Sequence, residues 1–241
     1  MPREVACGKT IYEDKKQGLK VYRHKNSFIV QDRHRGMRLN KDFSRGELFL
    51  TKRSPLVFKD YPLQHPFDKI IILDFLHKGQ GALLHACGIS YKAEGLLFLG
   101  KSGAGKSTWA NLWRQSLSIR KGQDTLILND DRIILKKIKN DFFIYGTPWA
   151  GDALACAANS ARLKRVFFLT HSRTSYLTPL QPQDTIARLF GCTLNYLWQK
   201  NTLKKTLGLY LSLIKKVPCF EFGFPPNKEA LNFISRENKK I

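Results

Sequence analysis

Acidic residues are the scarce class in this sequence: 19 Asp and Glu stand against 41 Lys and Arg over 241 residues, a formal net charge of +22. Such a deficit attracts polyanions, nucleotide phosphates included. The basic residues are scattered, however, and no block of five or six like charges occurs, so a nucleic-acid-binding tail is not indicated. CxxC pairs are absent as well. The five cysteines, Cys7, Cys87, Cys156, Cys192 and Cys219, form an odd, widely spaced set, which argues against a zinc site and a disulfide framework and fits a reducing cytoplasm. No run of about 18 apolar residues is present, and "MPREVACGKTIYEDKK" lacks an apolar stretch of signal-peptide length. The expectation is a soluble, cytoplasmic protein with no membrane span. Internal repeats and low-complexity segments are missing too.

What is present is a globular composition, 43% hydrophobic and 12% aromatic, enough for one main core and against disorder over most of the chain. Residues 1–65 read as a β-rich segment, with strands in "KVYRHKNSFIVQD" and "GELFLTKRSPLVF". From Pro66 to residue 241 the character is that of a second, larger domain. "PFDKIIILDFLHKGQ" reads as a helix, or a strand and helix. "GALLHACGISYKAEGLLFLG" reads as two strands around the turn signal "KAEG". A helix is expected from Thr108 to about Leu117, then strands in "DTLILNDDRIILKKI", "DFFIYGTPWAG" and "LKRVFFLTH". "QDTIARLFGCTLNYLWQ" and "TLKKTLGLYLSLIKK" carry helical spacing, "CFEFGF" reads as a strand, and Asn227 with two prolines announces a last helix. So many strands around one early helix predict a mixed sheet, not a simple parallel one.

Gly100 to Ser107 reads G-K-S-G-A-G-K-S, matching the phosphate-binding pattern G-x-x-x-x-G-K-[ST] at every fixed position. Glycines let backbone N–H groups converge on phosphate oxygens, Lys106 brings an ammonium to the β and γ phosphates, and the Ser107 hydroxyl is a Mg²⁺ ligand. Gly100, Lys101, Ser102, Gly103, Ala104, Gly105, Lys106, Ser107 and Thr108 are therefore the expected contacts for ATP or another NTP. An earlier "GKT" at Gly8 to Thr10 lacks the leading glycine and is taken as coincidence. Trp109 and Trp113, one helical turn apart, are expected in the core.

A Mg-nucleotide site also needs a carboxylate at a strand end. "LILNDD" supplies Asp130 and Asp131, one to hold metal and the other to take a proton from an attacking hydroxyl; the other reading of the pair is a turn whose Asp side chains make local backbone hydrogen bonds. Asp131 is the first choice for the base, but the sequence does not separate the two roles. His85 in "LLHACG" lies on the strand before the loop. Two readings stand for it, a satisfied core histidine or a group that tunes a neighbouring carboxylate.

"LLHACG", "GLLFLGKSGAGKST" and "LILNDD" together resemble the catalytic domain of the HPr serine kinase/phosphorylase family, whose fold is shared with ATP-type phosphoenolpyruvate carboxykinase. The resemblance covers about Ala82 to Leu169. It implies an α/β fold: a mixed β-sheet P-loop domain of the phosphoenolpyruvate carboxykinase/HPr kinase type, with an N-terminal β-rich segment and C-terminal helices. It implies that Lys106, Asp130, Asp131 and His85 are catalytic, and that Ser107, Asp130 and Asp131 bind Mg²⁺. It also implies homo-oligomers. "YGTPWAGD" departs from the signature of the bifunctional enzymes and looks like that of HPr-kinase-related proteins, some of which phosphorylate a peptide serine. There Trp149 would wall the acceptor pocket and Asp152 would help with metal or substrate, the alternative being a tight structural turn with a buried Trp. The resulting expectation is an ATP- and Mg-dependent kinase acting on a serine hydroxyl of a peptide or protein. The rivals are an NTPase driving assembly, with Arg162, Arg165 and Arg173 as candidate fingers, and a nucleotide-responsive module with a basic binding surface.

Overall fold

The structure, a computed structural model, describes residues 8–16, 18–101, 103–119, 125–194 and 202–237. Ser102, Cys7 and the end of the helical pattern in "NYLWQ" lie outside the described residues. The chain divides into two compact units, one up to Phe75 and one from Leu76 onward.

In the first unit, β1 (Lys9–Asp14), β2 (Leu19–His24), β3 (Ser27–Gln31), β4 (Arg35–Asn40) and β5 (Gly46–Leu50) form an antiparallel meander in chain order. Leu19, Val21, Phe28, Val30, Met37 and Leu39 pack with Phe67 and Ile70. Buried Arg35 organises the following loop: its guanidinium donates to Asp32 Oδ2 at 2.7 Å and to the carbonyl oxygens of Gln64 (3.0 Å) and His65 (2.9 Å). "PLVF" is not a strand. Leu56–Asp60 is a short helix, α1, in which Tyr61 N–H donates to Val57 O. Pro55 fixes its entry, and Leu56 and Val57 are exposed, so no sheet face is available to bury them.

Helix α2 (Phe67–Lys78) leads to the second unit. Its sheet holds β6 (Gly81–Tyr91), β7 (Glu94–Leu99), β8 (Thr125–Asn129), β9 (Arg132–Ile138), β10 (Asp141–Tyr145), β11 (Ser160–His171) and β12 (Tyr176–Pro179). Two more strands, β13 (Thr193–Leu194) and β14 (Cys219–Phe224), complete it. The helices are α3 (Lys106–Ile119), α4 (Pro182–Gly191), α5 (Thr202–Ile214) and α6 (Lys228–Glu237). The strand order is β10-β9-β6-β7-β11-β14-β12, and β10 also pairs with β11, so part of the sheet closes on itself. β7, β11 and β14 are mutually parallel and the other pairs antiparallel, which makes the sheet mixed as expected.

Successive residues of β7 point to opposite faces, and both faces are covered. Leu97 and Leu99 enter one core with Leu209, Tyr210 and Leu213 of α5. Leu96 and Phe98 enter the other with Trp109, Trp113 and Ala230. This double burial is why "GLLFL" reads as an unbroken apolar run. Trp109 is fully buried, its ring centroid 5.1 Å from those of Phe222 and Phe224, so both tryptophans are core residues. One helical expectation fails: after Gly191 ends α4, Thr193 and Leu194 pair with Leu84 and Leu83. The reason is a vacancy in the ladder, since β7 pairs with β6 only from Ala86 onward. At the last helix, Asn227 Oδ1 accepts from Ala230 N–H at 3.2 Å, the cap its sequence announced.

Candidate active site

Strand β6 changes partners halfway along. Gly81 to His85 pair with β9, and Gly88 to Tyr91 pair with β8. The β8–β9 turn, Asp130 and Asp131, is therefore presented at His85, where Ala86 N–H donates to Asp131 O at 2.9 Å. His85 Nε2 donates to Asp131 Oδ1 at 2.8 Å, and Arg132 Nε lies 3.2 Å from Oδ2. His85 is thus a half-buried partner of a carboxylate, not a core residue.

Parallel pairing brings the ends of β7, β11 and β14 together, Leu99 beside Phe168 and Phe224 beside His171. The Gly100–Gly105 loop leaves β7 there and enters α3. Gly103 and Gly105 take φ of 80° and 94°, backbone that a side chain would strain. Trp109 N–H donates to Gly105 O at 2.7 Å as the helix begins, two residues earlier than the Thr108 start expected. Lys106 is buried, and its ammonium donates to Gly100 O (2.8 Å) and Lys101 O (3.1 Å) of its own loop.

These elements surround a cleft of about 520 Å³ lined by His85, Lys106, Ser107, Asp130, Asp131 and Asp152, with Gly103, Gly105 and Thr108. Gly100, Lys101 and Ala104 line the other side of the loop. Trp149 does not line the cleft: its carbonyl is held by Asn129 and its ring lies under the Arg132 guanidinium, 5.8 Å away. Nor do Arg162, Arg165 and Arg173. Arg162 pairs with Asp141, and Arg165 is buried with its guanidinium donating to Glu237 O.

Sequence reasoning missed the supports of the acidic turn. Asn129 is fully buried and makes four bonds. Its Oδ1 accepts from the N–H groups of Asp131 (2.8 Å) and Arg132 (2.7 Å), and its Nδ2 donates to Thr147 O (3.0 Å) and Trp149 O (3.1 Å). Asp130 binds the same loop, accepting from Gly151 N–H at 2.9 Å and Ala153 N–H at 2.7 Å. Gly151 is obligatory, because a Cβ there would stand 2.7 Å from Asp131 Cβ and 2.8 Å from Asp130 Oδ2. Arg114 on α3 closes the other end by donating to Ala153 O at 2.8 Å. The Asn before the acidic pair was the one available signal, since Asn favours such side-chain-capped turns.

No protein-family model matches the chain, and no curated protein does. Among solved structures, it is similar to the Hpr(Ser) kinase/phosphatase from Coxiella burnetii at 18% identity, covering 65% of this chain and 95% of that one, with a TM-score of 0.35. The likeness is a distant one of fold.

The electrostatics of the cleft separate the two acids. Asp130 is 1% exposed and tied to backbone, whereas a quarter of the Asp131 side chain meets solvent. The hydrogen bond from His85 holds the Asp131 carboxyl below its ordinary pKa, with Arg132 and Lys106 adding to the effect against the cost of burial. Burial pushes the Lys106 ammonium down, with Asp131 acting the other way. Among the described residues no group of three or more His, Cys, Asp or Glu forms a metal cage. Ser107, Asp130 and Asp131 are instead oxygen donors around one cleft, a set that fits a Mg²⁺ completing its shell with phosphate and water.

Proposed function

We propose that the protein is a phosphotransferase that moves the γ-phosphate of ATP or another NTP to a hydroxyl, namely a serine of a peptide or protein. The observation that carries this reading is the convergence of a glycine-rich loop, its Lys106 and a His85-oriented carboxylate on one cleft. Asp131 takes the acceptor's hydroxyl proton as the oxygen bonds to phosphorus and the bridging P–O bond to the diphosphate breaks. His85 keeps that carboxylate ionised and aimed. Lys106 exchanges its two loop carbonyls for phosphate oxygens and offsets the charge that grows on the leaving diphosphate. Ser107, Asp130 and Asp131 would hold Mg²⁺, which supplies charge neutralisation on the phosphates when bound. Asp130 and Asn129 fix the 147–153 loop, with Asp152 facing the acceptor's approach.

Incubation with γ-labelled ATP, Mg²⁺ and a serine-containing peptide library tests this. Label is expected on peptide with wild-type protein and at least ~100-fold slower transfer with Lys106→Ala or Asp131→Asn, the usual scale for losing a charge-stabilising group or a general base. Label found solely as free phosphate, whichever peptide is offered, would instead identify an NTPase.

A further inference from the structure

The Gly100–Gly105 loop separates two cavities. One is the cleft of His85 and Asp131. The other, of about 650 Å³, is bounded by Ala104 of the loop, Leu169 and His171 at the end of β11, Arg188 and Gly191 of α4, and Glu221 of β14. Gly103 and His171 border both, and His171 Nε2 donates to Gly103 O at 2.7 Å, so the two spaces adjoin across one peptide.

The second cavity carries a polar pair that the phosphotransfer chemistry does not use. Glu221 Oε2 accepts from Arg188 Nη2 at 2.7 Å, and Oε1 accepts from the Tyr176 hydroxyl at 2.9 Å. The carboxylate is thereby fixed beside a guanidinium that is 41% exposed, with acceptor lone pairs and N–H donors left over. A purine edge has the complementary arrangement, an N–H next to a ring nitrogen or carbonyl oxygen. Ala104 and Leu169 provide carbon surface for a flat base, and the volume is of the size that small-molecule sites have. A nucleotide has a polyanionic end and an aromatic end. The loop stands between a cleft suited to the first and a cavity suited to the second.

We infer that the cavity behind the loop is the nucleoside subsite, in which Arg188 and Glu221 read the edge of a purine while the phosphates pass Gly103 and His171 into the cleft. The inference rests on the nucleotide binding proposed above, and tripolyphosphate, a triphosphate without a nucleoside, separates the two.

Calorimetric titration with ATP, GTP and tripolyphosphate, each with Mg²⁺, is the test. A Cβ at Gly191 meets nothing within 4 Å, so Gly191→Trp fills the cavity without a backbone clash. This variant is expected to lose ATP affinity by about tenfold or more while tripolyphosphate affinity stays within about twofold. Glu221→Gln is expected to shift the ATP-to-GTP affinity ratio by about fivefold or more, since it replaces an acceptor with a donor at the base edge. Ala187→Trp, on the exposed side of the same helix and also lining the cavity, gives a second plug, and retained tripolyphosphate binding certifies a folded loop in each variant. ATP bound equally by wild type and both plugged variants overturns the subsite alone. Wild-type protein that binds neither ATP nor tripolyphosphate overturns the nucleotide reading and the subsite with it.

Discussion

Asp130 and Asp131 are neighbours in sequence, yet one carboxylate is enclosed by the Gly151 and Ala153 amides and the other, partly open to solvent, accepts a hydrogen bond from His85. Different failures follow when each is changed. Asp130→Asn replaces one acceptor oxygen with a donor that faces an N–H, which should cost about 1–3 kcal/mol of stability, read as a lower melting temperature. Asp131→Asn should melt within a few degrees of wild type and lose transfer activity. The His85 bond carries a pH signature as well. Because it lowers the Asp131 pKa from the ordinary 3.8, the stability it provides is complete above that value and drains away as pH falls through the depressed one. The stability gap between wild type and His85→Ala should therefore hold down to about pH 5 and narrow as pH falls further, through and below the ordinary carboxylate value, in denaturant titrations. The acids and the histidine were legible in the sequence as candidates. Their division of labour was not, because it depends on which backbone amides reach which carboxylate.

At the scale of elements, the 147–153 loop is held by side chains that precede it by some twenty residues, Asn129 and Asp130, and by Arg114 from α3. Asn129→Asp keeps the acceptor for the Asp131 and Arg132 amides but loses both donors to the loop. Amide hydrogen exchange over residues 147–153 is expected to rise by about tenfold, with β8 and β9 unaffected, since two hydrogen bonds release a local segment and not the sheet. Strands and helices with clear periodicity were legible from their residues: β6, β7, α3, α5 and α6 lie where the pattern puts them. α1 and β13 did not, for opposite reasons. Leu56 to Phe58 is apolar without a sheet to join, and Thr193 to Leu194 continues a helical pattern but meets an unfilled ladder on β6.

For the whole molecule, the excess of basic residues is spread through the sequence, and among the described residues Lys106 is the one lysine that lines the cleft. Long-range attraction then acts on encounter more than on the bound state. Stopped-flow association of a fluorescent nucleotide should slow several-fold between about 20 and 300 mM salt while dissociation changes little, as expected for steering over distances comparable with the Debye length. Equal sensitivity of both rates would place the basic residues in the bound complex. Among the described residues no helix is long and apolar enough to cross a membrane.

By itself the sequence determined the local chemistry: a glycine pattern that admits left-handed backbone at Gly103 and Gly105, apolar runs that must be buried on both faces, and Asn before two acids. Such properties depend on neighbours within a few residues. Only the tertiary structure decided that the β8–β9 turn meets His85, that Asp130 also holds the 147–153 loop, and that Glu221 and Arg188 line a cavity with the glycine-rich loop. Those contacts join residues about 20 to 120 positions apart, and they are set by strand order and register, which no local pattern encodes.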